Sequence, residues 1–192
     1  MSARDALLDA YQSILQETGE RSTTLTAVAA RAGVSKGGLL YHFGSKEALA
    51  DGLIARLDAL LEEDVAQMGA AADGPSRYYV RSSAWTGGPL DTAFVAVAQL
   101  AQESHAGAQE AMRRARRAWL ELILAEVGEE ATANAILLLG DGLYFDAALN
   151  GGGGPATPGG TPSPGQFTPE QLLPIVDRLL DAARESRGDA ES

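Results

Sequence analysis

The chain contains no cysteine and only two histidines, His42 and His105, in 192 residues. Disulfides and thiolate metal sites are thereby excluded, and two histidines argue against a histidine-based metal centre. No metal or other cofactor is expected. Aromatic residues make up only 6%, and no apolar run approaches the ~20 residues a membrane-spanning helix needs. Residues 1–6 lack the charged-then-apolar pattern of a secretory leader. The expectation is a soluble, cytoplasmic protein with no membrane partner. Nucleophile–base pairings, metal-ligand spacings and a phosphate loop ending in Gly-Lys-Ser/Thr are also missing, so nothing marks the chain as an enzyme.

Positive charge is scarce too. Fifteen Lys and Arg face 26 Asp and Glu, for a net charge of −11. That total is unfavourable for a partner of nucleic acid, whose phosphates call for Lys and Arg. Its distribution changes the picture. Within residues 1–50, Arg4, Arg21, Arg31, Lys36 and Lys46 balance Asp5, Asp9, Glu17, Glu20 and Glu47, so the whole deficit lies in the remainder. A neutral N-terminal unit can dock on DNA while an acidic body discourages contact elsewhere.

The chain also has 22 glycines, many of them placed as punctuation between helical patterns. Ser2 with Asp5 forms a capping signature ahead of Leu7, Ala10, Tyr11, Ile14 and Leu15, which predicts a helix stopping near Gly19. A short helix is expected from Thr24 or Thr26 to Ala32, ended by Gly33, and another from a Ser35 cap through Tyr41. A long helix begins after Ser45. Further helices are expected at about 76–84, 91–104, 107–127 and 129–149. Residues 151–167, rich in Gly and Pro, read as a flexible connector. Thr168-Pro169-Glu170-Gln171 then opens a last helix, with Pro174 early in it. The fold class is all-α. The expected division is a helix-turn-helix domain at 1–48 and a helical effector-binding and dimerisation domain at 49–192.

Two short helices joined through a Gly turn suit a DNA major groove, the second lying in it while the first braces it. Val28, Ala29, Val34, Leu39 and Phe43 are spaced to form the mini-core between them. Ser35, Lys36, Gly37, Gly38, Leu40, Tyr41 and His42 remain on or beside the exposed side. Glycines early in a helix lower its stability by about 1 kcal/mol each relative to Ala, which suggests that a surface approaches the backbone closely there.

The stretch Thr24-Leu25, Ala32-Gly33-Val34-Ser35 and Leu39-x-Tyr41-His42-Phe43-x-x-Lys46-Glu47-x-Leu49 resembles the TetR family of transcriptional repressors. The resemblance covers residues 4 to 54. It implies a dimeric regulator of operator DNA in which Lys36 and Gly37 face bases, while Thr24, Ser35, Tyr41, His42 and Lys46 contact phosphates. Thr26, Gly38 and Leu40 complete the expected DNA-facing set. Two positions depart from the pattern: Ala27 stands where an acidic residue is common, and Leu40 where an aromatic is frequent. The operator sequence therefore does not carry over. Leu137-Leu138-Leu139-Gly140-Asp141-Gly142-Leu143 resembles, more loosely, the helix before the dimer helix in drug-responsive members.

Each of these residues also has a plainer reading. Lys36 and Lys46 can be solvated surface lysines, and His42 a core histidine; the motif favours DNA contact for all three. The run Arg113-Arg114-Ala115-Arg116-Arg117 reads as a charge-laced helix face, with Glu110 and Glu121 four residues from Arg114 and Arg117. Trp85, Phe94, Met112, Trp119, Tyr144 and Phe145 suit either a plain core or an apolar effector pocket. Carboxylates at Glu103, Asp141 and Asp146 need partners if buried, and solvent, an arginine or a cationic ligand can each serve. The leading function is a homodimeric repressor released from operator DNA by a small lipophilic effector, cationic in its sharpest form. The stripe on the last helix, including Val176 and Leu180, is expected to join residues 129–149 at the dimer seam. The competing reading is a helical small-molecule-binding protein or enzyme without DNA binding.

Overall fold

The computed structural model describes residues 2–84, 87–150 and 167–190, which form nine α-helices and, among the described residues, no strand. Ser2 opens α1 (Ala3–Thr18): its Oγ accepts the Asp5 N–H at 3.1 Å, and the Asp5 carboxylate accepts the Ser2 N–H at 3.2 Å. This capping box satisfies end groups that a helix cannot satisfy itself. The helices α2 (Leu25–Ala32) and α3 (Lys36–His42) are separated by Gly33, which takes a left-handed conformation with φ 66°. Glycine enters that region without the Cβ clash other residues suffer.

The remaining helices are α4 (Lys46–Gly69), α5 (Pro75–Ser82), α6 (Pro89–Gln102), α7 (Ala106–Val127), α8 (Glu130–Asn150) and α9 (Pro169–Ala190). The ends of α5 to α8 lie within two residues of the sequence expectation, the usual uncertainty of a fraying terminus. Thr168 N–H donates to Gln171 Oε1 at 2.9 Å at the start of α9, and the helix runs on through Pro174. Residues 151–166 of the expected connector, and Trp85 of the expected effector set, lie outside the described residues. No described helix is long and apolar enough to cross a membrane.

The chain divides into two compact units, one of residues 1–62 and 89–115, the other of 63–88 and 116–192. In the first, α1 packs on α2 and α6. Tyr11 and Leu15 of α1, Leu39 of α3, Leu53 of α4 and Val97 of α6 are fully buried in one core. In the second, α5 packs on α8 and α9. Gly140 lets α8 approach α5 closely, because a Cβ there would stand 2.4 Å from the Tyr79 ring. Gly74 (φ 90°) starts α5, whose Ser76 N–H donates to Glu126 Oε2 at 2.8 Å.

One sequence expectation needs correction. Val176 and Leu180, assigned to the dimer seam, are buried within their own chain at 0% and 2% exposure. The stripe on α9 faces α5 and α8 of the same unit. Apolar spacing alone says that a face is covered, not which chain covers it.

Candidate nucleic-acid interface

Leu39 is fully buried and Phe43 nearly so, both in the core that also holds Val28 and Ala29. Together they fix α3 against α2. The opposite side of α3 is left bare: Lys36, Gly37, Leu40, Tyr41 and His42 are all exposed, Tyr41 at 85%. The Tyr41 and His42 rings meet edge-on at 5.2 Å. Beside this face, Thr24 and Ser35 cap α2 and α3 by accepting the Ala27 and Gly38 N–H groups at 3.2 and 3.0 Å. Thr26 is also exposed.

The two glycines of α3 differ in their surroundings. A Cβ at Gly38 would meet Val34 Cγ1 at 2.8 Å and Ser35 Oγ at 3.3 Å, so local packing accounts for this glycine. A Cβ at Gly37 would meet only Ser35 Oγ at 4.0 Å. Nothing in the described chain requires glycine at 37.

Lys46 is held within the chain. Its ammonium lies 2.7 Å from Glu20 Oε1 and also donates to the Glu20 carbonyl, so it ties the start of α4 to the loop after α1. Arg31 pairs with Glu17 at 2.6 Å, and the Arg4 guanidinium stacks over the Phe43 ring at 5.2 Å. Sequence reasoning missed a second cluster in this unit. His105 Nε2 lies 3.0 Å from Glu47 Oε1, and a ligand atom of Asp51 is close to both. The i, i+4 spacing of Glu47 and Asp51 is legible in the sequence; a histidine 54 residues further along is not. A metal-ligating histidine normally donates its other ring N–H to an acceptor. Here Nδ1 instead accepts the Ala108 N–H at 3.1 Å as the cap of α7. Nε2 faces Glu47 but makes no hydrogen bond among the described residues, so the cluster reads as a capping histidine beside a carboxylate.

The expected effector residues fall into both units. Phe94 and Met112 pack on the core of the first unit. Glu103, expected amid apolar helix, is exposed just beyond the end of α6, 3.8 Å from Arg21. Trp119, Asp141, Tyr144 and Phe145 belong to the second unit. There the Tyr79 hydroxyl donates to Asp141 Oδ1 at 2.7 Å, while Arg116 pairs with the other carboxylate oxygen. The Trp119 Nε1–H donates to Asp64 Oδ2 at 2.8 Å, the Tyr78 hydroxyl lies 3.0 Å from Asp64 Oδ1, and the Tyr79 and Trp119 rings stand 5.6 Å apart. Burial and the neighbouring Asp141 carboxylate push the Tyr79 phenol well above its ordinary range; burial and Asp64 push Tyr78 up to about 12. Both phenols therefore act as neutral donors. Tyr144 is half-buried, Phe145 is 65% exposed, and Asp146 accepts the Phe167 N–H at 3.2 Å. The arginine run is charge-laced as expected, though with other partners: Arg113 pairs with Glu110, Arg114 with Asp58 and Arg116 with Asp141.

Residues 7–53 match the family described as bacterial regulatory proteins, tetR family. No protein of curated function matches the sequence. Among solved structures, the fold is similar to that of the multidrug binding protein EbrR complexed with malachite green, at 20% identity and a TM-score of 0.64, covering 92% of this chain and 96% of that one. It is also similar to a ketosteroid transcriptional regulator of Mycobacterium tuberculosis, at 19% identity and a TM-score of 0.61, covering 94% of each chain. A transcriptional regulator from Rhodococcus sp. Rha1 shares 20% identity at a TM-score of 0.57, covering 96% and 97%. Residues 7–53 thus match the DNA-binding domain model of the tetR family, and the chain as a whole has the fold of solved transcriptional regulators.

Proposed function

We propose that the protein is a ligand-responsive repressor that binds a near-palindromic operator as a homodimer in the cytoplasm and is released by a small lipophilic effector. The observation that carries the reading is the bare face of α3, where Lys36, Gly37, Leu40, Tyr41 and His42 are exposed opposite a locked core. A helix held on one side and open on the other is what a major groove accepts. Thr24, Thr26 and Ser35 stand beside it, with hydroxyls suited to phosphate, while Lys46 reaches DNA only by leaving Glu20. A two-fold dimer would set two such helices about 34–36 Å apart, one turn of DNA. For the dimer, α8 offers Leu138 and Phe145, exposed at 58% and 65% and two helical turns apart on one face.

The effector would bind one conformational state better than the DNA-competent one, since a ligand without that preference shifts nothing. The second unit holds a buried aromatic pair, Tyr79 and Trp119, with carboxylates at Asp64 and Asp141. Aromatic faces beside carboxylates suit a lipophilic cation, and Arg116 now occupies the place such a cation would take on Asp141. Selection of duplexes from a randomised pool by the purified chain tests DNA reading, and recovery of no preferred sequence rejects it. Calorimetry with cationic dyes and with neutral and anionic lipophiles, each with and without selected duplex, tests the effector. By linkage, an inducing compound must bind more weakly, by one common factor, when DNA is present. Binding confined to neutral or anionic compounds rejects the cation and leaves the repressor.

A further inference from the structure

Leu39 and Leu40 are neighbours in α3 with opposite fates. Leu39 is fully buried in the core of the first unit, whereas Leu40 is 43% exposed, one of the few large apolar side chains on the surface among the described residues. An exposed leucine alone means little, because much of any protein surface is apolar. Its place decides the matter. Leu40 follows Lys36 by four residues, so the two share one ridge of the helix. Gly37 and Tyr41 form the adjacent ridge, and a Cβ at Gly37 would meet nothing described closer than Ser35 Oγ at 4.0 Å. The face is therefore mixed: an ammonium at one end, an isobutyl group one turn on, and a glycine beside them that keeps the surface low.

We infer that Leu40 is a base-reading residue that packs on the C5-methyl group of thymine in the major groove, beside the base pair approached by Lys36. The inference rests on the DNA-binding reading above and adds to it a residue role and a base identity. Leucine has no hydrogen-bonding group, so it cannot read a phosphate or a base-edge donor or acceptor. The only apolar group on the major-groove edge of the four base pairs is the thymine methyl. Lys36 reads the opposite chemistry, with guanine O6 and N7 as its preferred acceptors. Four residues of helix rise span about 6 Å, and base pairs stack about 3.4 Å apart. The thymine therefore lies within about two base pairs of the position that Lys36 reads.

The test uses the full chain, a randomised duplex pool, and one DNA-side change that leaves the protein untouched. Duplexes selected by the wild type are compared with those selected by Lys36→Ala, which marks the base pair that Lys36 reads. The expected half-site carries a thymine within two base pairs of that position. Replacing it by uracil removes the methyl alone and should weaken wild-type binding about fourfold, the value of one buried methyl group. Leu40→Ala should bind thymine and uracil duplexes equally while keeping the wild-type circular dichroism spectrum. An equal uracil penalty in wild type and Leu40→Ala overturns the assignment, as does a uracil change without effect on the wild type. Recovery of no preferred duplex at all overturns the DNA-binding reading itself.

Discussion

Replacing Gly37 by Ala should move stability and DNA binding in opposite directions. In the free protein the added methyl meets nothing closer than Ser35 Oγ at 4.0 Å. The residue lies inside α3, so alanine gains helix propensity and lowers the entropy of the unfolded chain. The gain should be about 0.4–1 kcal/mol, or a few degrees in melting temperature for a chain of this size. In the complex the same methyl stands on the face offered to the groove. Overpacking a fitted contact costs about 1–3 kcal/mol, roughly five- to 150-fold in affinity. Gly38→Ala is the internal control. Its Cβ would stand 2.8 Å from Val34 Cγ1, so Val34 must shift and the propensity gain should disappear. Urea denaturation and fluorescence anisotropy on a selected duplex read both effects. A Gly37→Ala protein that is less stable than wild type, or that binds the duplex as tightly, would refute the reasoning.

Further outcomes follow from other sites. Lys36→Ala should weaken binding to a selected duplex by about 1–3 kcal/mol and relax the preference at one base pair, as loss of a base contact does; duplex titrations check both. Gly140→Ala places a methyl 2.4 Å from the buried Tyr79 ring, and should destabilise the protein by about 1–3 kcal/mol in urea melts. Tyr11 is fully buried and its hydroxyl has no hydrogen-bond partner among the described residues, so Tyr11→Phe should be neutral or stabilising by about 1 kcal/mol, and a loss of more than that would reveal a partner. Leu138→Glu combined with Phe145→Glu should yield folded monomers by sedimentation, since both side chains are exposed in the single chain. Val176→Asp with Leu180→Asp should instead unfold the second unit, because each carboxylate would be buried without a partner.

Much of this architecture was legible before any coordinates. Helix starts were readable because capping is local: Ser2 with Asp5, Thr24 and Ser35 each reach an N–H three residues away. The helix-turn-helix was readable for the same reason, since Gly33, Leu39 and Phe43 lie within about ten residues of one another. Partners far apart in sequence were not. Asp141 needed a counter-charge, and the candidates were solvent, an arginine or a ligand. Arg116, 25 residues upstream, supplies it. Glu103 was expected within the helix at 91–104, but α6 ends at Gln102 and leaves it in the turn.

The sequence by itself determined the all-α class, the start of each helix and the ends of α5 to α8 to within two residues, and the identity of the buried face on each short N-terminal helix. All three depend on periodicity and on contacts three or four residues apart. Tertiary structure alone decided that residues 89–115 fold with the N-terminal helices and that Val176 and Leu180 serve the chain's own core. It also separated a glycine required by packing, Gly38, from one that packing does not require, Gly37. Each of these turns on what stands opposite a side chain across space. An amphipathic pattern states that a face is covered, and only the packed structure states by what.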